Sequence, residues 1–185
     1  MKYDFTSILD RKGKDAIAVE RIPFAGAEVK EGFSRIPMWI ADMNFVTAPS
    51  VIEAVTKRLE HGTFGYFPPR EEYFESIVSW LKNRHGLEVT RENISNENGV
   101  LHSVTAALNA FTSPGEKVLA HAPCYVGFTG SITGCGRSVV YSDMYRDENG
   151  VWRMDFEDMD KKLKENKIHV AVFCSPHNPT GRVWE

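Results

Sequence analysis

The sequence predicts an α/β protein: part of a mainly parallel sheet with flanking helices, preceded by an extended N-terminal arm. Three observations carry that prediction. Short apolar runs suited to buried strands occur at 117–122, 137–144 and 168–175. Segments of helical character lie between them, and a strand–helix–strand–helix–strand order implies parallel strands joined by right-handed crossovers. Residues 1 to 47 show neither period and are punctuated by Pro23, Gly26, Gly32 and Pro37, which marks them as an arm.

In chain order, the arm is expected to gain order only by lying on something else. Its MWIADMNF stretch (38–45) is too apolar and aromatic for a disordered loop. Pro49-Ser50 opens a helix with Val51, Ile52, Val55 and Leu59 on one face, and Gly62 stops it. GTFGYFPPR (62–70), with two glycines and Pro68-Pro69, is a loop. A second helix over 70–85 aligns Tyr73, Phe74, Ile77, Trp80 and Leu81 and ends at Gly86. A third follows Asn98-Gly99 as VLHSVTAALNAF, with Val100, Val104, Ala107, Leu108 and Phe111 inward; Ser113-Pro114-Gly115 ends it.

From there the period changes. KVLAHA (117–122) is a short buried strand, 124–133 suits a helix, and RSVVYSDM (137–144) is a second strand. Asp155 is the expected N-cap of FEDMDKKLKEN, whose acids come early and lysines late, as the helix dipole prefers. IHVAVFCS (168–175) is the most continuous apolar run, the kind expected to be buried on both faces.

Composition narrows the function classes. A chain of 185 residues holds one domain, or one and part of another. A net charge of −3 gives no electrostatic footprint for nucleic acid or an anionic membrane. No apolar run approaches the ~20 residues of a membrane span, and the charged MKYDFTSILDRKGKD start is no signal peptide, so the expected location is the cytoplasm. Cys124, Cys135 and Cys174 form no C-x-x-C pair and read as packing residues, Cys174 as a small buried hydrophobe. His121, His169 and His177 lack the spacing of a metal pair, so no metal is assigned.

Three loops share one logic. Gly99, Val100 and Leu101 begin a helix, where free N–H groups and the dipole favour a phosphate. Tyr125 follows a strand and offers an aromatic face. Asn178 follows the last strand between Pro176 and Pro179, which aim its amide at the same crevice beyond the strands' carboxyl ends. Each has a plainer reading: a turn glycine, a core tyrosine, a turn asparagine. Together they describe a site for a flat, phosphorylated aromatic cofactor. His102, beside the phosphate loop, reads either as a polar helix-face residue or as a cofactor contact.

At this point the residues resemble a family. SPHNPTGRVW is similar to the S-x-N-P-T-G signature of fold-type I pyridoxal-phosphate enzymes, the class I/II aminotransferases, and FTSPGEKVLAHAPCY resembles a second stretch of that family. MWIADMNF together with GTFGYF resembles the MalY/PatB-type cystathionine β-lyase subgroup, although Asn44 stands where that subgroup usually has Asp. The resemblance implies pyridoxal 5'-phosphate (PLP) as cofactor. Gly99, Val100 and Leu101 would face its phosphate, Tyr125 would stack on its ring, and Asn178 would donate to its phenolic oxygen. Tyr66 would reach the phosphate of a neighbouring subunit's cofactor, which implies a homodimer with shared sites. Ile40 and Ala41 would run near the carboxylate of an amino-acid substrate, with Trp39 shaping the pocket.

The resemblance also divides the chain: 1–47 as an arm or small-domain segment, 48–185 as the first part of the PLP-binding large domain. The lysine that forms the Schiff base would lie beyond Glu185, so no catalytic residue is expected within these residues, and the chain is expected to be inactive alone. The expected activity of the whole is C–S β-elimination from cystathionine or cysteine-type substrates, giving thiol, pyruvate and ammonia. An aminotransferase would use the same residues, and a non-catalytic module for regulation or assembly would tolerate the missing lysine.

Overall fold

The structure is a computed structural model that describes residues 3–21, 28–33 and 36–185; Pro23 and Gly26 lie outside them. The chain divides into two units, Met1–Pro69 and Arg70–Glu185.

In the first unit the described residues of the arm are largely irregular apart from one helical turn, α1 (Ile17–Glu20), which its sequence does not announce. It departs from a simple extension because it also braces itself. Arg11 binds Asp42 at 2.7 Å and Asn44 at 3.4 Å, and the Phe5 and Phe45 rings meet edge to face at 5.6 Å. Pairs more than thirty residues apart are invisible to a local reading of periodicity. Helix α2 (Pro49–Leu59) starts with proline in its first turn, where the missing N–H costs no hydrogen bond. Gly62, at φ 70°, closes it by donating to the Leu59 carbonyl. The apolar face of Val51, Ile52 and Val55 lies with Leu9 and Val46 along an open groove of about 380 Å³.

The second unit opens with α3 (Glu71–His85), ended by Gly86 in the left-handed conformation. Its inward stripe is Phe74, Ile77, Val78 and Leu81, while Tyr73 and Trp80, expected inward, are exposed. A similar rotation corrects α4 (Val100–Phe111). Leu101, Val104, Thr105 and Leu108 turn inward at helical spacing, and Val100, Ala107 and Phe111 face out. Both segments carry more apolar residues than one face can bury. The neighbour each helix meets decides which are covered.

Strand β1 (Lys117–Ala122) is the centre of the unit. Helix α5 (Val126–Gly134) follows it and leads to β2 (Ser138–Asp143), which pairs with β1 in parallel from Lys117↔Ser138 to Ala122↔Asp143. A short antiparallel hairpin, β3 (Tyr145–Arg146) with β4 (Trp152–Arg153), precedes helix α6 (Phe156–Glu165). Two residues per strand are too few to show an alternating pattern, so the hairpin has no sequence signal. Asp155 caps α6 as expected, accepting from the Asp158 N–H at 2.9 Å.

Strand β5 (Ala171–Val172) pairs with β1 on its other side, giving the parallel order β2-β1-β5. Here the reading of 168–175 needs correction. Its ladder is the shortest of the parallel strands, and residues 168–175 alternate between covered and exposed, Phe173 being largely exposed. Burial on both faces belongs instead to β1, where Val118, Leu119 and Ala120 are fully covered. Position in the sheet, not apolar content, sets double burial: β1 has a partner on each side, β5 on one. Leu108, Val118 and Ile132 form the core between α4, β1 and α5, with Val104, Val139, Val170 and Val172 against it.

Candidate functional site

β1 and β5 are parallel neighbours, so the loops leaving them open at one edge of the sheet. β1 delivers Pro123-Cys124-Tyr125, and β5 delivers the turn that carries Asn178. The start of α4 reaches the first of these loops. A Cβ placed on Gly127 would fall 2.4 Å from Tyr125 Cε1 and 2.9 Å from Leu101 Cδ1. Tyr125 and Leu101 therefore meet over a bare glycine, and Phe128 holds the Tyr125 ring edge to face at 5.3 Å.

Gly99 is the N-cap of α4, at φ 90° and ψ 165°, a conformation that L side chains rarely adopt. Its carbonyl accepts from the His102 and Ser103 N–H groups, which starts the helix. Its own N–H donates to the Glu97 carbonyl at 2.8 Å. The N–H groups of Val100 and Leu101 have no acceptor among the described residues. Two free donors at the positive end of a helix of this length suit an anion.

The β5 side is a tightly tied turn. His177 donates from its backbone to the Arg182 carbonyl and accepts from the Gly181 N–H, both at 2.7 Å, while its Nδ1 meets Thr180 Oγ1 at 3.0 Å. Trp184 Nε1 donates to the Cys174 carbonyl at 2.9 Å. Asn178 sits exposed on this turn, its side-chain amide without a hydrogen-bond partner among the described residues.

Sequence reading missed what joins the two loops. His121, near the end of β1, is 4% exposed, packs edge to face against Phe173 of the β5 exit at 6.3 Å, and has an Nε2 with no partner. Burial, and then the neighbouring His177, hold its imidazole below the usual histidine range; burial alone does the same to His177. The two lie 56 positions apart in sequence, and only the pairing of β1 with β5 brings them close. Burial and then Cys174 push the Cys124 thiol up, which suits packing rather than nucleophilic work. Cys174 itself is half-buried, less enclosed than its strand context suggested.

The first unit carries the remaining candidates. Trp39 Nε1 donates to the Ala18 carbonyl at 3.3 Å, and Ile40 and Ala41 follow it on exposed backbone. Tyr66 is fully exposed on the 62–70 loop, between Phe64 and Phe67.

The family model described as aminotransferase class I and II matches residues 40–185. The chain belongs to that family. The cystathionine β-lyase PatB of Bacillus subtilis is 36% identical over 80% of the chain and 38% of its own length. Protein MalY of Escherichia coli is 30% identical over 98% of the chain and 46% of its own length. The crystal structure of a PLP-bound C–S lyase from Staphylococcus hominis, complexed with L-cycloserine, superposes with a TM-score of 0.85 at 32% identity, covering 100% of this chain and 48% of that one. The chain thus spans less than half the length of these relatives.

Within this member of the class I and II aminotransferase family, several lysines are engaged elsewhere. Lys117 donates to Asn166 at 2.7 Å from the opposite end of β1, roughly 16 Å of strand away from Ala122. Lys162 and Lys164 pair with Asp158 and Asp160 on α6. No helix among the described residues is long and apolar enough to cross a membrane.

The buried histidines give the unit a pH dependence. Their folded-state pKa values are depressed, so below about pH 6.5 the unfolded chain binds protons that the folded chain refuses. Their contribution is intact above that pH and declines as pH falls through it. Urea midpoints should therefore drop between neutral pH and about pH 5.5, above the carboxylate range, and His121→Gln should flatten the slope.

Proposed function

We propose that this chain carries the phosphate-binding and ring-binding part of a PLP site belonging to a C–S β-lyase of cystathionine or cysteine-type substrates. The observation that carries the reading is the meeting of Tyr125 and Leu101 over Gly127, beside the free N–H groups of Val100 and Leu101. A flat ring and an anion attached to it fit that pairing. Similarity to PatB, MalY and the Staphylococcus hominis lyase supports the reaction class.

When bound, PLP supplies an electron sink for the carbanion left by removal of an amino acid's Cα proton. The chain's own residues bind and orient. Val100 and Leu101 would donate their N–H groups to the phosphate, with Gly99 providing the turn that frees them. Tyr125 would cover one face of the ring, and Asn178 would donate its amide to the ring's phenolic oxygen. Trp39, Ile40 and Ala41 are assigned to the pocket for the substrate carboxylate. Tyr66 is assigned to the cofactor phosphate of a second subunit, which makes the working form a homodimer; its full exposure leaves it available for that role. We place the protein in the cytoplasm, where free amino-acid substrates are found.

The test is direct titration of the chain with PLP, read by absorbance and by quenching of aromatic fluorescence. Saturable binding is expected, and Tyr125→Ala should weaken it roughly fivefold to tenfold through loss of one stacked face. Borohydride reduction followed by mass spectrometry should leave no single lysine stoichiometrically carrying a pyridoxyl group. A lysine modified stoichiometrically would overturn the assignment of the catalytic lysine to a position outside these residues. Absence of PLP binding would overturn the site.

A further inference from the structure

Glu97 and His102 bracket the start of α4. The Glu97 carbonyl holds the Gly99 N–H, and its carboxylate Oε2 contacts His102 Nδ1. His102 is in the helix's first turn, with the free N–H groups of Val100 and Leu101 lying between the two residues in sequence. Glu97 is the one ionic partner of His102 within 4.0 Å among the described residues. Across the 94–98 segment, Tyr73 Oη donates to Asn96 Oδ1 at 3.1 Å and adds no charge.

A lone carboxylate beside the free donors would repel a phosphate. Contact with His102 Nδ1 engages that carboxylate at the place where an anion would arrive. We infer that Glu97 and His102 form a positioning pair for the phosphate of the bound cofactor, the His102 ring engaging a carboxylate that would otherwise stand free beside the donors and repel the phosphate. This rests on the PLP-site reading above. Neither residue is assigned a catalytic role.

The test compares PLP with pyridoxal, which has the same ring and no phosphate, on the full chain. His102→Gln should weaken PLP roughly two- to fivefold and leave pyridoxal unchanged, and His102→Lys should restore PLP binding. Glu97→Gln in the His102→Gln background should recover most of the loss, because the uncompensated carboxylate is gone. Amide exchange at Val100 and Leu101 should slow on adding inorganic phosphate to the wild type, and less so in His102→Gln. Equal losses for PLP and pyridoxal would show a merely structural role and overturn the inference, as would unchanged PLP affinity in His102→Gln. If the wild type does not prefer PLP over pyridoxal, the PLP-site reading fails first and the inference falls with it.

Discussion

Arg137→Ala is expected to lower the unfolding free energy by about 3 kcal/mol. Arg137 is 6% exposed, and its guanidinium donates to Thr112 Oγ1 at 3.0 Å, to the Thr112 carbonyl at 2.6 Å, and to Asn109 Oδ1 at 2.8 Å. It also donates to the Cys135 carbonyl. None of these acceptors is a carboxylate. The positive charge is matched instead by the C-terminal end of α4, where the helix dipole is negative and the last carbonyls lack helical partners. One side chain thereby ties α4 to the start of β2. Alanine would leave buried acceptors unpaired as well as a void. Arg137→Met, which restores volume without donors, should recover only the packing part, and Arg137→Lys should recover little because a single ammonium cannot reproduce the fork. Urea unfolding followed by circular dichroism measures all three; a wild-type midpoint for Arg137→Ala would show the network to be dispensable.

Gly127→Ala should separate binding from folding. The added methyl would lie 2.4 Å from the Tyr125 ring and 2.9 Å from Leu101 Cδ1, far inside contact distance, so both side chains must move. They are flexible enough to do so, and alanine in α5 gains helix propensity of about 1 kcal/mol over glycine, which offsets the disturbance. Stability should change by less than about 1 kcal/mol. PLP affinity should fall roughly fivefold to tenfold, because the Tyr125 ring is displaced from its stacking position. Titration of the variant beside its melting curve decides the matter: weak binding with an unchanged curve supports the site, and wild-type affinity removes Tyr125 from it.

Local signals account for much of the architecture. Proline at the start of α2, glycine after α3, Gly99 before α4 and Asp155 before α6 each act within a few residues, and each element is found where its signal stands. The same holds for β1 and β2, whose apolar runs are the right length for strands. Which face of α4 turns inward was not legible, since Val100 and Phe111 are as apolar as Leu101 and Leu108. Nor was the role of Arg137, because its acceptors come from the end of a helix some 25 positions away.

The candidate site divides in the same way. By itself the sequence determined that a helix start, an aromatic residue and a turn asparagine follow glycine, strand and strand, since short-range sterics and hydrogen bonding set those conformations. Only the tertiary structure decided that Leu101 and Tyr125 share the bare backbone of Gly127, and that His121 and His177 are buried near each other. Those meetings depend on the pairing of β1 with β5 and the packing of α4 on α5. Such contacts arise between segments distant along the chain, where no local preference of either segment encodes its partner.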